Sequence, residues 1–286
     1  MNIKRAAVIG AGVMGSGIAA HFANAGIPVL LLDIVPNALM QRSDSANKEG
    51  DRSAIAKGAL EKMLKADPAP FMSKKAAALV TPGNLEDDLG QLAEVDWIVE
   101  AVIERLDIKR DLFSKIDKVR KAGSVVSSNT STIPLEQLVE GQSAAFAQDF
   151  LITHFFNPPR YMRLLELVTG PHTRTDAAAE IKNFCDVVLG KGVVVCKDRP
   201  GFIANRIGTY WIQAAINEAL ARNITVEEAD SVMGKPLGFP KTGVFGLMDL
   251  VGIDLMPHIA KSLISSLPAE DAFCKSMFGM SPLDYL

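Results

Sequence analysis

Residues 6–17 read Ala6-Ala7-Val8-Ile9-Gly10-Ala11-Gly12-Val13-Met14-Gly15-Ser16-Gly17, and Asp33 ends the next apolar run, Pro28-Val29-Leu30-Leu31-Leu32-Asp33. A Gly-x-Gly-x-x-Gly alone is weak evidence, because glycines also gather in turns; here a strand precedes it, a helix follows it and an acid comes in register. Gly10 closes a tight turn, Gly12 lets the backbone approach a pyrophosphate, and Gly15 lets the helix pack closely on the strand. The helix opens at Val13 and Met14 with unpaired N–H groups and the positive end of its dipole aimed at phosphate. Ile18, Ala19, Phe22 and Ala23 give it an apolar stripe, and Asn24-Ala25-Gly26 ends it. Asp33 lies eighteen residues past Gly15, near the spacing of about 20 expected for a carboxylate that bonds a ribose 2′-hydroxyl. A 2′-phosphate would be repelled there, and no arginine follows to receive one, so the cofactor reads as NAD rather than NADP.

Outward from this motif the pattern alternates. A polar stretch at about residues 37–75, with Ile55, Leu60, Met63 and Leu64 at helical spacing, reads as a helical insertion able to cover a substrate. Apolar runs at 79–81, 95–102, 124–128, 150–154, 163–168 and 192–196 read as strands, with helices at 107–121 and 175–189. Near-continuous apolar strands separated by helices describe a parallel sheet covered on both faces: a doubly wound, Rossmann-type α/β fold. After Asp198-Arg199-Pro200-Gly201 the strand signals stop. Residues 202–220 fit a long helix, Thr225-x-x-Glu228 is a capping box opening a second, and 247–263 fit a third. The expected organisation is an NAD-binding domain at 1–198 and a smaller all-α domain for substrate and dimerisation at 199–286.

Composition narrows the partners. A net charge of −3 with scattered Lys and Arg offers no nucleic-acid face. No apolar run nears the roughly 20 residues of a membrane span, and the N-terminus leads straight into a strand. Cys185, Cys196 and Cys274 form no CxxC pair, an odd count that fits a reducing compartment. A cytoplasmic protein acting on a small molecule is expected, with no metal, since no His, Cys and Asp cluster has ligand spacing.

Ligands of doubly wound sheets bind at the carboxyl ends of the strands. Four segments fall there: Ser128-Asn129-Thr130-Ser131, His154-Phe155-Phe156-Asn157-Pro158, Glu166, and Asn205 within residues 200–206. With the glycine loop, Asp33 and Val99-Glu100-Ala101-Val102-Ile103-Glu104, these segments resemble the L-3-hydroxyacyl-CoA dehydrogenases of fatty-acid β-oxidation, in the same order over most of the chain. The resemblance implies NAD-dependent oxidation of a 3-hydroxyacyl-CoA to the 3-ketoacyl-CoA. It implies His154 as general base, Glu166 as its partner, and Ser131 and Asn205 as polar groups around the reacting oxygen. It also implies cofactor contacts at Glu104, Lys109 and Asn129, and a substrate contact at Asn157, though that residue, before Pro158-Pro159, also reads as shaping the turn.

Elementary chemistry asks for the same residue types. Hydride transfer from a secondary alcohol leaves a hydroxyl proton, which an imidazole takes up near neutral pH. A carboxylate on its other nitrogen fixes the tautomer and stabilises the developing charge. Lys62 and Lys65 on the insertion are candidates for the CoA phosphates, against the ordinary reading of a solvated helix face.

Departures from the short form of the family, at Pro158-Pro159-Arg160-Tyr161, at 243–249 and at the tail 281–286, resemble longer multidomain relatives. A fragment of a longer chain, or a homodimer, is therefore expected. Two other readings use the same residues: a dehydrogenase of a free 3-hydroxy acid or sugar acid, and a non-catalytic NAD-binding protein.

Overall fold

The computed structural model describes residues 3–36, 50–239 and 241–277. β1 (Ala6–Ile9) is buried along its whole length inside an eight-stranded sheet. The other strands are β2 (Val29–Asp33), β3 (Val80–Asn84), β4 (Trp97–Glu100), β5 (Val125–Ser128), β6 (Phe150–Phe155), β7 (Leu164–Thr169) and β8 (Gly192–Cys196). Their order is β3-β2-β1-β4-β5-β6-β7-β8. The chain winds outward from β1 first on one side and then on the other, so the crevice beyond β1 and β4 is the switch point at which such sheets bind ligands.

Each neighbouring pair is parallel except β6 and β7, which run antiparallel. The expected parallel sheet is thus parallel at every pair but one. Residues 156–163 alone join β6 to β7, and a parallel crossover needs about a dozen residues or more, so the short link obliges the chain to turn back.

Close packing holds the switch point. Gly10 has φ +102°, and a Cβ there would lie 2.5 Å from Ala101 O. A Cβ on Gly15 would lie 1.8 Å from Gly10 O, so only glycine lets the helix Val13–Asn24 approach the loop. Behind it Phe22, Trp97 and Phe184 meet edge to face or tilted, with centroids 5.0–6.3 Å apart. Phe113, Phe146 and Phe150 form a second aromatic group. Of the insertion, residues 37–49 lie outside the described residues; its described part is the helix Ala54–Lys65, a bend through Pro68 and Pro70, and the short helix Lys74–Ala77.

The chain divides into two compact units, Met1–Asp198 and Arg199–Leu286. The second contains the helix Ala204–Arg222, ended by Asn223 at φ +53°. The helix Val226–Val232 follows, its capping box made by Thr225 and Glu228. The single helix expected over 247–263 is two, Phe245–Val251 and Met256–Ser266. Gly252, at φ +110°, breaks it, a conformation no helix accepts. Ile212, Ile216, Val244, Met248 and Met256 form one core cluster of this unit, and Ala260, Leu263, Phe273 and Met277 another. The tail at 281–286 lies outside the described residues, and among those described no helix is long and apolar enough to cross a membrane.

Candidate active site

The helix Val13–Asn24 begins at Gly12 with no side-chain cap, and Val13 in its first turn is 72% exposed while Met14 is half-buried. A Cβ on Gly12 would meet nothing within 4 Å. Asp33, at the end of β2, accepts from Ala11 N (2.5 Å) and Ile34 N (2.7 Å), which fixes its carboxylate beside the loop. Uncapped donors, an open approach and an oriented carboxylate fit a pyrophosphate and a ribose diol.

Beside this loop lies a buried ionic network. Glu100, the last residue of β4, is 0% exposed. Its Oε1 accepts from Lys109 Nζ (2.6 Å) and Val102 N (2.7 Å), and its Oε2 from Ser128 Oγ (2.5 Å). Lys109, 1% exposed on the helix Leu106–Val119, also reaches Glu104 at 3.2 Å. Glu104 Oε1 accepts from the Thr130 hydroxyl, from Ser131 N (3.2 Å) and from Thr132 Oγ1 (3.0 Å). Burial works to raise the Glu104 pKa, but Lys109 and the threonine hydroxyls outweigh it and hold the carboxyl below its ordinary range. Glu104 thus orders the loop that carries Ser131. Asn129 spans to the next strand: its N–H donates to Glu100 O (2.8 Å), and its Oδ1 accepts from Phe155 N (2.9 Å).

His154 and Glu166 are direct partners in the β6–β7 ladder. His154 Nδ1 lies 2.8 Å from Glu166 Oε2, with the residues 6% and 0% exposed. Given a carboxylate acceptor, Nδ1 carries the proton and donates it. The Phe156 ring meets the imidazole at 4.5 Å between centroids. Cys196 Sγ, on β8, is 3.8 Å from Glu166 Oε1. Burial, with that carboxylate beside it, pushes the thiol up to about 11, so it stays protonated and donates.

Asn157 and Lys62 line a cavity of about 670 Å³ bounded by Gly12, Val13, the helix Ala54–Lys65 and residues 157–161. Lys65 is exposed on the same helix but does not line it. Asn205 lies in the second unit, in the first turn of Ala204–Arg222. His21 is buried with Nε2 3.0 Å from Leu189 O, and burial, aided by Lys191, lowers its pKa to about 4; His172 and His258 are exposed. Among the described residues no group of His, Cys, Asp and Glu is arranged to hold a metal.

Sequence reasoning gave Glu100 and Thr130 no role of their own, although both support the site. The available signal was a carboxylate closing the apolar run Trp97-Ile98-Val99, where an isolated charge needs a buried partner.

Residues 5–199 match the family model described as 3-hydroxyacyl-CoA dehydrogenase, NAD binding domain, and residues 201–282 match that of the 3-hydroxyacyl-CoA dehydrogenase C-terminal domain. The chain is similar to a probable 3-hydroxyacyl-CoA dehydrogenase of Bacillus subtilis, 47% identical over 274 residues, covering 94% of this chain and 35% of that protein. A probable 3-hydroxyacyl-CoA dehydrogenase of Deinococcus radiodurans is 46% identical over 273 residues, covering 96% of this chain and 76% of that one. The chain thus spans about a third of the first relative and three quarters of the second. The crystal structure of (S)-3-hydroxybutyryl-CoA dehydrogenase from Ralstonia eutropha superposes with a TM-score of 0.75 at 27% identity, covering 97% of this chain and 92% of that one.

Proposed function

The chain belongs to the 3-hydroxyacyl-CoA dehydrogenase family, and from that premise we propose that it oxidises L-3-hydroxyacyl-CoA to 3-ketoacyl-CoA with NAD+ in fatty-acid β-oxidation. The observation that carries this reading is the buried His154–Glu166 pair, 2.8 Å apart at the carboxyl end of β6. Bound NAD+ supplies the hydride acceptor. With Nδ1 engaged by Glu166, His154 takes the substrate's hydroxyl proton at Nε2 and becomes imidazolium. Glu166 holds the tautomer beforehand and balances the positive charge afterwards, a charge-assisted bond of about 1.5–3 kcal/mol. Cys196, a weak donor, orients the far oxygen of Glu166 while leaving most of its charge to the imidazole.

Gly10, Gly12, Val13, Met14 and Gly15 take the pyrophosphate, and Asp33 the adenosine ribose. Glu104 positions the Ser131 loop toward the nicotinamide side, with Lys109 acting through Glu104 and Glu100, and Asn129 joining the ends of β5 and β6. Ser131 and Asn205 are assigned to the substrate oxygen, Asn205 from the family resemblance alone. Asn157 and Lys62 face the CoA moiety. A cytoplasmic location, and action as a homodimer or within a longer multifunctional chain, complete the proposal; the length of the Bacillus relative supports the latter.

The test is NADH production from L-3-hydroxyacyl-CoA substrates of graded chain length. Turnover of the CoA thioesters, with none of free 3-hydroxybutyrate, is expected. Turnover of the free acid alone would replace this reading by a hydroxy-acid dehydrogenase. NAD binding without any turnover would leave a binding protein.

Reversing both lysines, Lys62→Glu with Lys65→Glu, is expected to raise the KM for acyl-CoA about tenfold. That corresponds to about 1.4 kcal/mol for the pair. Because Lys62 lines the cavity and Lys65 does not, Lys62→Glu alone should produce most of the change. An unchanged KM in the double variant would remove both lysines from the CoA site.

A further inference from the structure

The cavity beside the glycine loop has a wall made by contacts between two segments far apart in sequence. Residues 66–72 leave the helix Ala54–Lys65 and are gripped from one side by Asn24, whose Nδ2 donates to Pro70 O and whose Oδ1 accepts from Met72 N, both at 2.8 Å. From the other side Arg160 Nη1 donates to Ala69 O (2.5 Å) and Phe71 O (3.1 Å), and Tyr161 OH donates to Ala69 O (3.0 Å). The Arg160 guanidinium sits 5.1 Å from the Tyr161 ring centroid, so a cation–π contact holds the two side chains together.

The loop that carries them is itself anchored. Buried Lys191 donates Nζ to the carbonyls of Pro159 and Met162, and the Pro159 ring occupies the space above Gly17, where a Cβ would lie 2.9 Å from Pro159 Cδ. A rigid loop on one side and a bend through two prolines on the other make the Arg160 contact a fixed spacer. The insertion keeps other attachments, since Ala56 and Met63 on its helix are buried against the sheet domain's core. Loss of the spacer would therefore loosen the cavity wall without detaching the helix.

We propose that Arg160 and Tyr161 are positioning residues for substrate binding: they strap the helical insertion to the loop between β6 and β7 and thereby set the width of the cavity that takes the CoA moiety. The proposal rests on the acyl-CoA reading above. It separates binding from chemistry, because His154 and Glu166 are held by the β6–β7 ladder and not by the strap. Removing the strap should weaken ground-state binding and leave the chemical step intact.

The experiment compares wild type, Arg160→Met with Tyr161→Phe, and Arg160→Lys, which keeps a charged donor. Each is assayed with acyl-CoAs of graded length, and by hydrogen exchange of the amides in residues 66–72 of the free protein. In the double variant the acyl-CoA KM is expected to rise about tenfold, equivalent to about 1.4 kcal/mol, with kcat within about twofold and the KM for NAD+ unchanged. The rise should be about equal for every acyl length, since the cavity takes the CoA moiety common to all; exchange at 66–72 should quicken, and Arg160→Lys should recover part of each effect. Unchanged exchange, or quicker exchange with an unchanged acyl-CoA KM, would overturn the proposal. So would an equal rise in both KM values. A wild type inert toward every acyl-CoA overturns the functional reading instead, and the exchange measurement, which needs no substrate, tells that failure from failure of the strap.

Discussion

His154→Gln is expected to lower kcat/KM for the acyl-CoA by about 10²–10⁴, with NAD+ binding unchanged. In barrier height that is roughly 2.7–5.4 kcal/mol. Glutamine has similar reach and keeps an amide donor for Glu166, so the buried carboxylate 2.8 Å away is not stranded. What disappears is the nitrogen that takes the proton. Glu166→Gln should cost less in rate, because the base remains and only the balance of its charge is lost. Steady-state kinetics, paired with a direct titration of NADH binding, separate the two contributions. Undiminished turnover in His154→Gln would end the assignment of a general base.

Lys109→Met is expected to cost about 3–5 kcal/mol of folding stability, the usual penalty for removing one partner of a buried ion pair. Burial already pushes the Glu100 carboxyl above its ordinary range, against the opposing pull of Lys109 and the hydrogen bonds from Ser128 and Val102. Without the ammonium at 2.6 Å the cost of that charge is uncompensated. A carboxyl whose folded pKa is raised binds more protons folded than unfolded, so its cost grows as pH climbs above about 4.3, the unfolded value. The stability deficit of Lys109→Met should therefore be larger at neutral than at acid pH. Adding Glu100→Gln should restore much of the loss, and urea denaturation of the two single variants and the double variant measures the coupling. A Lys109→Met protein as stable as wild type would show that the network contributes nothing to holding β4 and β5.

The features readable from sequence were those with a local cause. The strand from Ala6 to Ile9, the three glycines and Asp33 are spaced by the geometry of one turn and one helix, so their pattern survives in the chain as written. The capping box at Thr225 and Glu228 is local in the same sense. The reversal at β7 was harder to see because Leu164–Thr169 is as apolar as its parallel neighbours; the informative quantity was the shortness of residues 156–163, not the strand itself. Gly252 was invisible to a periodicity argument, because the apolar spacing runs on through the break, whereas its φ of +110° ends the helix. In the site, His154 and Glu166 are twelve residues apart and cross-strand partners, a local relation. The grip of Arg160 on Ala69 and Phe71 joins segments about ninety residues apart through main-chain carbonyls, and a carbonyl leaves no mark on residue identity.

The antiparallel seam between β6 and β7 has a bearing on how this protein tolerates change. Because His154 and Glu166 face each other as ladder partners, every intervening residue lies within one hairpin. Lengthening its tip changes closure entropy only slowly with loop size and leaves the pairing in place. Deleting a single residue inside either strand does the opposite: side chains alternate faces, so the deletion would turn either the imidazole or the carboxylate to the wrong side of the sheet. Insertions at the tip and deletions in the strands, equal as edits to the gene, would thus fail in different ways: the first would disturb the Arg160 and Tyr161 contacts and spare the catalytic pair, the second would lose the pair itself.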